Sequence, residues 1–179
     1  MPQVIDLEEG RLQVFIKKGF RNWKSRFNED FGADTRLTNI TFNTLCILSQ
    51  GRENSNFYIY DLIMNISGMG SGFEFNELEP KEKMAVIDQY LFLLDSIRFE
   101  CMKRLGWFES CPGDDYTLVE LIRRFDSLAP HLKAQIPVLS EKHPQYEQFS
   151  GMTSFEKEAF IRKLIPKALD MIKGYSTTL

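Results

Sequence analysis

The chain has 179 residues, of which 43% are hydrophobic and 26% charged, and its net charge is −3 at pH 7. This composition is typical of a soluble globular domain and excludes a disordered or fibrous chain. A domain of this length buries roughly 70% of its unfolded surface, so neither a metal nor disulfides are needed to stabilise the fold. The acidic balance also argues against a basic nucleic-acid-binding module.

The N-terminal residues, the apolar runs and the cysteines indicate a cellular compartment. Residues 1–10 are acidic and lack the basic and apolar regions of a secretory signal. The longest unbroken apolar run, residues 90–94, is far shorter than the about 20 residues of a membrane span. Cys46, Cys101 and Cys111 are widely spaced and form no C-x-x-C pair, which favours reduced thiols. We therefore expect a cytoplasmic protein with no transmembrane segment.

The first helix is predicted over residues 8–31, where apolar residues recur at steps of three or four. Gly19 weakens this prediction without reversing it. The recurring residues fall on one stripe of a helix with 3.6 residues per turn. They are Leu12, Ile16, Phe20, Trp23, Phe27 and Phe31.

Two further helices are predicted over residues 38–49 and 55–67, each followed by glycine. The second of them ends at the sequence Gly-Met-Gly-Ser-Gly of residues 68–72. Glycine-rich segments of this kind are flexible connectors. We therefore expect a hinge or a loose sub-boundary at residues 68–72.

The longest element is predicted over residues 80–105, because Pro80 suits the first turn of a helix and Gly106 a C-terminal stop. On a helical wheel at about 100° per residue, apolar side chains cover most of its circumference. The polar stripe is narrow and includes Glu100. A helix of this type packs on several sides, so we expect it at the centre of the fold.

The C-terminal half carries two sequence patterns that start helices. Thr117 with Glu120, and Thr153 with Glu156, have capping-box spacing. The first of these helices is expected to end at Pro130, and the segment 131–150 to form short helical pieces joined by turns. The last helix is expected to run to about residue 173, with Pro166 on its solvent side. No internal repeat or composition shift divides the chain. We predict an all-α, single-domain bundle (1–179) of about six or seven helices around the central helix.

Three charges interrupt the apolar surface of the predicted central helix: Asp88, Asp95 and Arg98. Asp95 and Arg98 are three residues apart and can form an ion pair, which would offset the cost of burying them. One interpretation is a structural ion pair, or a helix less buried than the wheel indicates. The other is a pocket in which Arg98 binds an anionic group, and Tyr90 and Met102 are among the residues that hold an apolar body.

A second candidate site lies on the predicted first helix. Between positions 11 and 26 there are six cationic residues and no acidic one. Lys17, Lys18, Arg21 and Lys24 belong to this basic face, which would suit an acidic protein surface. The alternative is an amphipathic helix whose lysines are merely solvated. We expect no nucleic-acid binding, because one helix of positive charge is a small patch on an acidic protein.

Motifs that carry catalysis or bind metals are missing from the sequence. His131 and His143 occur in no E-x-x-H or H-E-x-x-H pattern, and there is no G-x-S-x-G or Walker sequence. We predict no metal site and no cofactor, and no motif supports an enzyme. The leading hypothesis is a helical protein that binds another protein or itself. A small-molecule binding or sensor protein with a pocket near Asp88, Asp95 and Arg98 comes second, and an enzyme of unrecognised class third.

Overall fold

The structure, a computed structural model, describes residues 6–176 and is 69% helical with almost no strand, which confirms the all-α prediction. The expected absence of a secretory signal concerns residues that lie partly outside this range. Within it the chain forms nine α-helices. They are α1 (Leu7–Gly19), α2 (Arg21–Phe27), α3 (Phe42–Ser49), α4 (Glu53–Ile66), α5 (Pro80–Arg104), α6 (Leu118–Arg123), α7 (Phe125–Lys133), α8 (Tyr146–Ser150) and α9 (Ser154–Ser176).

Short elements complete this framework. Two 3-10 helices, Leu37–Asn39 and Gly72–Glu77, precede α3 and α5. Strands β1 (Phe108–Ser110) and β2 (Val138–Leu139) pair in antiparallel orientation. None of the helices in the described part of the chain is long and apolar enough to cross a membrane.

The helix predicted over residues 8–31 is divided into α1 and α2, which meet at Phe20. Asn28 adopts left-handed backbone with φ of 54° and ends α2, so Phe31 lies beyond the helix. Phe31 is nevertheless buried, because it stacks on Phe20 with 5.6 Å between the ring centroids and meets Trp23 edge-on. The prediction of one continuous helix is therefore wrong. The breaks at Phe20 and Asn28 allow the rings of Phe20, Trp23 and Phe31 to pack together.

The glycine segment 68–72 is tied to α4 through the buried carboxylate of Asp61. The backbone N–H of Gly72 donates to Asp61 Oδ1 at 2.8 Å, and Asn65 donates to the same oxygen at 3.0 Å. Asn22 of α2 donates to Asp61 Oδ2 at 3.0 Å. Three hydrogen bonds therefore replace the water that this carboxylate loses on burial. A division of the chain at this segment stays a prediction.

The long helix α5 contacts two hydrophobic clusters. Val86, Leu93 and Ile97 belong to a cluster shared with α1 to α4, α6 and α7. Met102, near the C-terminal end of α5, belongs to a second cluster with β1, β2, α8 and α9. Apolar burial on several sides of one helix follows from its wide apolar circumference.

The ionic cluster expected in a dry interior is not there. Asp88 is exposed, and Asp95 and Arg98 are half-buried. The buried charge of α5 is Glu100, which the wheel placed on the polar stripe and which is only 2% exposed. The wheel gives angles about the helix axis but not the positions of the neighbouring elements. It therefore could not show that the side with Glu100 is buried and the side with Asp88 is exposed.

Glu100 is paired by two cations from the last turn of its own helix. Its carboxylate lies 2.9 Å from Lys103 Nζ and 3.0 Å from Arg104 Nε. Arg104 also donates to the carbonyl oxygens of Leu37 and Thr38, at 3.0 and 3.3 Å. The end of α5 is thereby joined to the segment that precedes α3.

The second half of the chain follows its capping signals but not the expected position of Pro130. The backbone N–H of Glu120 donates to Thr117 Oγ1 at 3.1 Å, as predicted. The helix then breaks at Arg124, and Pro130 lies inside α7 rather than at its end. Pro130 is solvent-exposed, so the chain tolerates the missing hydrogen bond there. Pro166 is likewise exposed within α9, as predicted.

We expect Asp61→Ala to lower the free energy of unfolding by about 3 kcal/mol, because three N–H donors, one buried and two partly buried, lose a charged acceptor. Urea denaturation measures this change. The matched control is Asp115→Ala at an exposed turn position, for which we expect a change of less than about 0.5 kcal/mol. Equal effects of the two substitutions would contradict the role assigned to Asp61.

Candidate functional site

A cavity of about 560 Å³ lies between α5, the start of α9, and the segment 132–137 that joins α7 to β2. We call it the α5–α9 groove. Its volume falls in the range of about 300–1,000 Å³ that is typical of small-molecule sites. Its apolar lining includes Leu91, Phe92, Phe99, Leu132, Ile136, Phe155 and Ile161. Its charged lining consists of Asp88, Asp95, Lys133, Glu158 and Arg162.

Helix α5 contributes one wall of the groove through a single face. Asp88, Leu91, Asp95 and Phe99 follow one another at steps of three and four residues, so their side chains lie above one another along the helix. Leu91 is 52% exposed. The part of this face that carries Asp88 and Leu91 is therefore left uncovered by both hydrophobic clusters.

Helix α9 contributes the opposite wall from its first two turns. The capping box predicted at its start is present: Glu156 N–H donates to Thr153 Oγ1 at 3.2 Å, and Thr153 N–H to Glu156 Oε2 at 2.9 Å. This start places Phe155 and Glu158 on the groove, and the Phe155 side chain is 82% exposed. Exposed aromatic rings beside a cavity are common in binding sites.

One ion pair joins the two walls. Arg162 Nη1 lies 2.8 Å from Asp95 Oδ2, and both side chains are partly exposed, at 50% and 28%. The partner of Asp95 is thus Arg162, 67 residues away, and not Arg98 as its spacing had suggested. Partly exposed pairs add only about 0.2–1 kcal/mol to stability, so the main effect of this pair is on the charge and shape of the groove.

The end of α7 closes the groove with a cation held against aromatic rings. Lys133 Nζ lies 6.0 Å from the ring centroid of Phe92 and 5.3 Å from that of Phe125. These distances are within reach of a cation–π interaction. The aromatic rings at this end of the groove therefore already accept one positive charge.

Arg98, predicted to bind an anion, does not line the groove. Its Nε donates to the carbonyl oxygen of Ser49 on α3, at 2.9 Å. Burial lowers the pKa of the guanidinium, and the carboxylate of Asp95 partly offsets this. Arg98 thus connects α5 to α3 and leaves Asp88 and Asp95 as the predicted residues that lie in the groove.

Tyr90 and Met102 also lie elsewhere. The ring of Tyr90 stacks on that of Tyr60 at 4.4 Å, and its hydroxyl donates to Asn56 Oδ1 at 2.5 Å. Burial raises the pKa of Tyr90, and the neighbouring Tyr60 adds to this. Met102 is fully buried in the second hydrophobic cluster. Both side chains hold α5 in place rather than face a ligand.

The four cations predicted to bind a partner are solvent-exposed on α1 and α2. We call these four residues, Lys17, Lys18, Arg21 and Lys24, the basic face. The ion pairs within the described range involve other residues. The aromatic residues behind the basic face, such as Trp23, are buried in the first cluster.

The thiols and acidic groups form no evident reactive centre. Among residues 6–176, no three His, Cys, Asp or Glu side chains are grouped closely enough to hold a metal ion. Cys46 and Cys101 are buried. Burial raises the pKa of Cys111, and the carboxylate of Asp114 raises it further. A thiol with a raised pKa carries little reactive thiolate at neutral pH.

Sequence analysis did not single out several residues of the groove, among them Lys133, Phe155, Glu158 and Arg162. Each belongs to a segment far along the chain from α5, and no local pattern marks them. Arg162 in particular shares the side of α9 on which Pro166 lies, so it was placed on the solvent side. The capping box at Thr153 and the spacing of Asp88, Leu91 and Asp95 on α5 predict the two helix segments that form the walls. They do not predict that these segments lie side by side.

Comparison with known proteins gives no match to a protein family, to a curated protein or to a solved structure. The function therefore has to be inferred from the geometry of the chain itself. The α5–α9 groove and the basic face are two features of the described residues that suit binding.

We expect Arg98→Ala to lower the free energy of unfolding by about 1–2 kcal/mol, because the buried carbonyl of Ser49 loses its donor. Arg162→Ala is the matched control within the partly exposed pair, and should cost less than about 1 kcal/mol. Urea denaturation of both variants gives the comparison. A larger loss in the Arg162 variant would contradict these assignments.

Proposed function

We propose that the protein binds a small molecule in the α5–α9 groove. The observation that carries this proposal is the combination of a cavity of about 560 Å³ with an apolar lining and a few charged groups. Small-molecule sites are typically concave and mostly apolar, with a small number of polar groups that fix orientation.

The apolar part of the groove is suited to hold the body of a ligand. Phe92, Leu132 and Ile161 are buried and belong to the packed clusters, so this part is already shaped before a ligand arrives. Leu91 and Phe155 remain exposed, at 52% and 82%. Covering such side chains gains about 25 cal/mol per Å² of apolar surface removed from water.

The proposal is tested with N-phenyl-1-naphthylamine, an uncharged dye whose fluorescence rises in apolar surroundings. We expect saturable binding of one dye per chain. Ser96→Trp places an indole in the groove that Ser96 lines, and should weaken dye binding by about tenfold or more, since a 1.4 kcal/mol loss of contact is tenfold in affinity.

The control for this variant is Ser127→Trp. Ser127 is also a helical serine whose hydroxyl donates to a carbonyl of the preceding turn, but it is exposed and lies outside the groove. Circular dichroism checks that both variants fold. A dye that does not bind, or binds the two variants equally, would contradict the proposed site.

A second candidate function is the docking of an acidic protein on the basic face. The specific observation in its favour is that four exposed cations lie on consecutive helices, and that the ion pairs of the described residues leave them unused. Complementary charge accelerates association and selects partners.

This second function is tested with fluorescently labelled poly-L-glutamate as a model acidic surface. Replacement of the basic face by four glutamines should weaken binding by about tenfold at low salt, because charge complementarity is lost. The control replaces four exposed cations elsewhere by glutamine: Arg123, Lys142, Lys163 and Lys167. Equal loss in the control would show attraction to net charge alone, and tighter binding of duplex DNA would contradict a protein partner.

A further inference from the structure

The charges that line the α5–α9 groove do not balance. Three carboxylates, Asp88, Asp95 and Glu158, face two cations, Lys133 and Arg162. Charged groups at the edge of an apolar site decide which sign of ligand it accepts, because an unpaired like charge opposes binding. The charged side chains that have no partner within the protein therefore indicate the charge of the ligand.

The two cations already have partners in the protein. Arg162 is bound to Asp95 at 2.8 Å. Lys133 lies over the rings of Phe92 and Phe125. An anionic ligand would have to compete with these contacts for either cation.

The two remaining carboxylates have no such partners. Between residues 6 and 176, no side-chain hydrogen bond or ion pair involves Asp88 or Glu158. Asp88 lies two turns before Asp95 on the groove face of α5, and Glu158 lies one turn before Arg162 on α9. Both walls thus present an unpaired negative charge beside the apolar lining.

Resting on the proposed small-molecule site, we propose that the ligand of the α5–α9 groove is an organic amine: an apolar, ring-containing body with one positive charge. The body occupies the apolar lining, and the ammonium group binds Asp88 or Glu158. The exposed ring of Phe155 offers a further surface for the cation, in the way that the rings of Phe92 and Phe125 hold Lys133.

The size of the site favours a small amine over the lysine side chain of a partner protein. A cavity of about 560 Å³ matches a drug-sized molecule. We therefore assign the groove to a free molecule.

The test uses three compounds with the same phenyl group and four methylene groups: 4-phenylbutylamine, 4-phenylbutanol and 5-phenylpentanoate. Each is titrated against the protein loaded with N-phenyl-1-naphthylamine, and dye displacement is measured. We expect the amine to displace the dye at about tenfold lower concentration than the alcohol, the size of one charge-assisted hydrogen bond. The carboxylate should be the weakest of the three.

The variant Asp88→Asn with Glu158→Gln removes both unpaired charges and keeps the shape of the side chains. It should bring the amine and the alcohol to equal displacement, each measured relative to the dye affinity of the variant itself. The control, Glu109→Gln with Asp115→Asn, removes two exposed charges outside the groove and should preserve the preference for the amine.

Failure of this inference is distinguishable from failure of the proposed site. If the dye binds but the carboxylate displaces it as well as the amine does, the ligand class is wrong while the groove stands as a binding site. If the double variant keeps its preference for the amine, Asp88 and Glu158 do not bind the cation. If a lysine-containing apolar peptide displaces the dye and the amine does not, the occupant is a protein segment.

Discussion

The packing of α5 against two hydrophobic clusters is the interaction on which the rest of the structure depends. One cluster takes the side of α5 that carries Val86 and Ile97, and the other takes Met102 near its end. Because both clusters cover other sides of the helix, the face with Asp88 and Leu91 stays open toward α9. The groove is therefore a consequence of how the core is divided, since it lies beside the face of the central helix that the two clusters leave partly uncovered.

Sequence patterns predicted the local structure best at helix starts, where a capping threonine or a proline acts on the backbone next to it. The capping boxes at Thr117 and Thr153 and the proline at the start of α5 gave correct helix starts. The break at Phe20 was predictable only in part: Gly19 precedes it, but a single glycine is tolerated inside a helix, and the tertiary packing of aromatic rings decides where the helix breaks. The same holds for Arg124, where one predicted helix becomes α6 and α7.

The candidate site was predictable only in part, and the reason is the distance along the chain between its walls. Asp88 and Asp95 stood out because charges interrupt an apolar helix, and both lie in the groove. The spacing of Asp95 and Arg98 allowed a local pair, yet each found a better placed partner on another helix: Arg162 and the carbonyl of Ser49. Periodicity describes one helix at a time and carries no information on which charge of another helix will reach it.

A comparison of four acidic residues separates structural from functional charge. Asp61 and Glu100 are buried and paired, Asp61 by three N–H donors and Glu100 by two cations. Such groups must be paired, because an unpaired buried carboxylate would cost several kcal/mol. Asp88 and Glu158 are exposed to water and so cost the fold little, but they lie beside apolar side chains that the fold has left uncovered. A ligand that covers these apolar side chains while it neutralises the two carboxylates would account for both features.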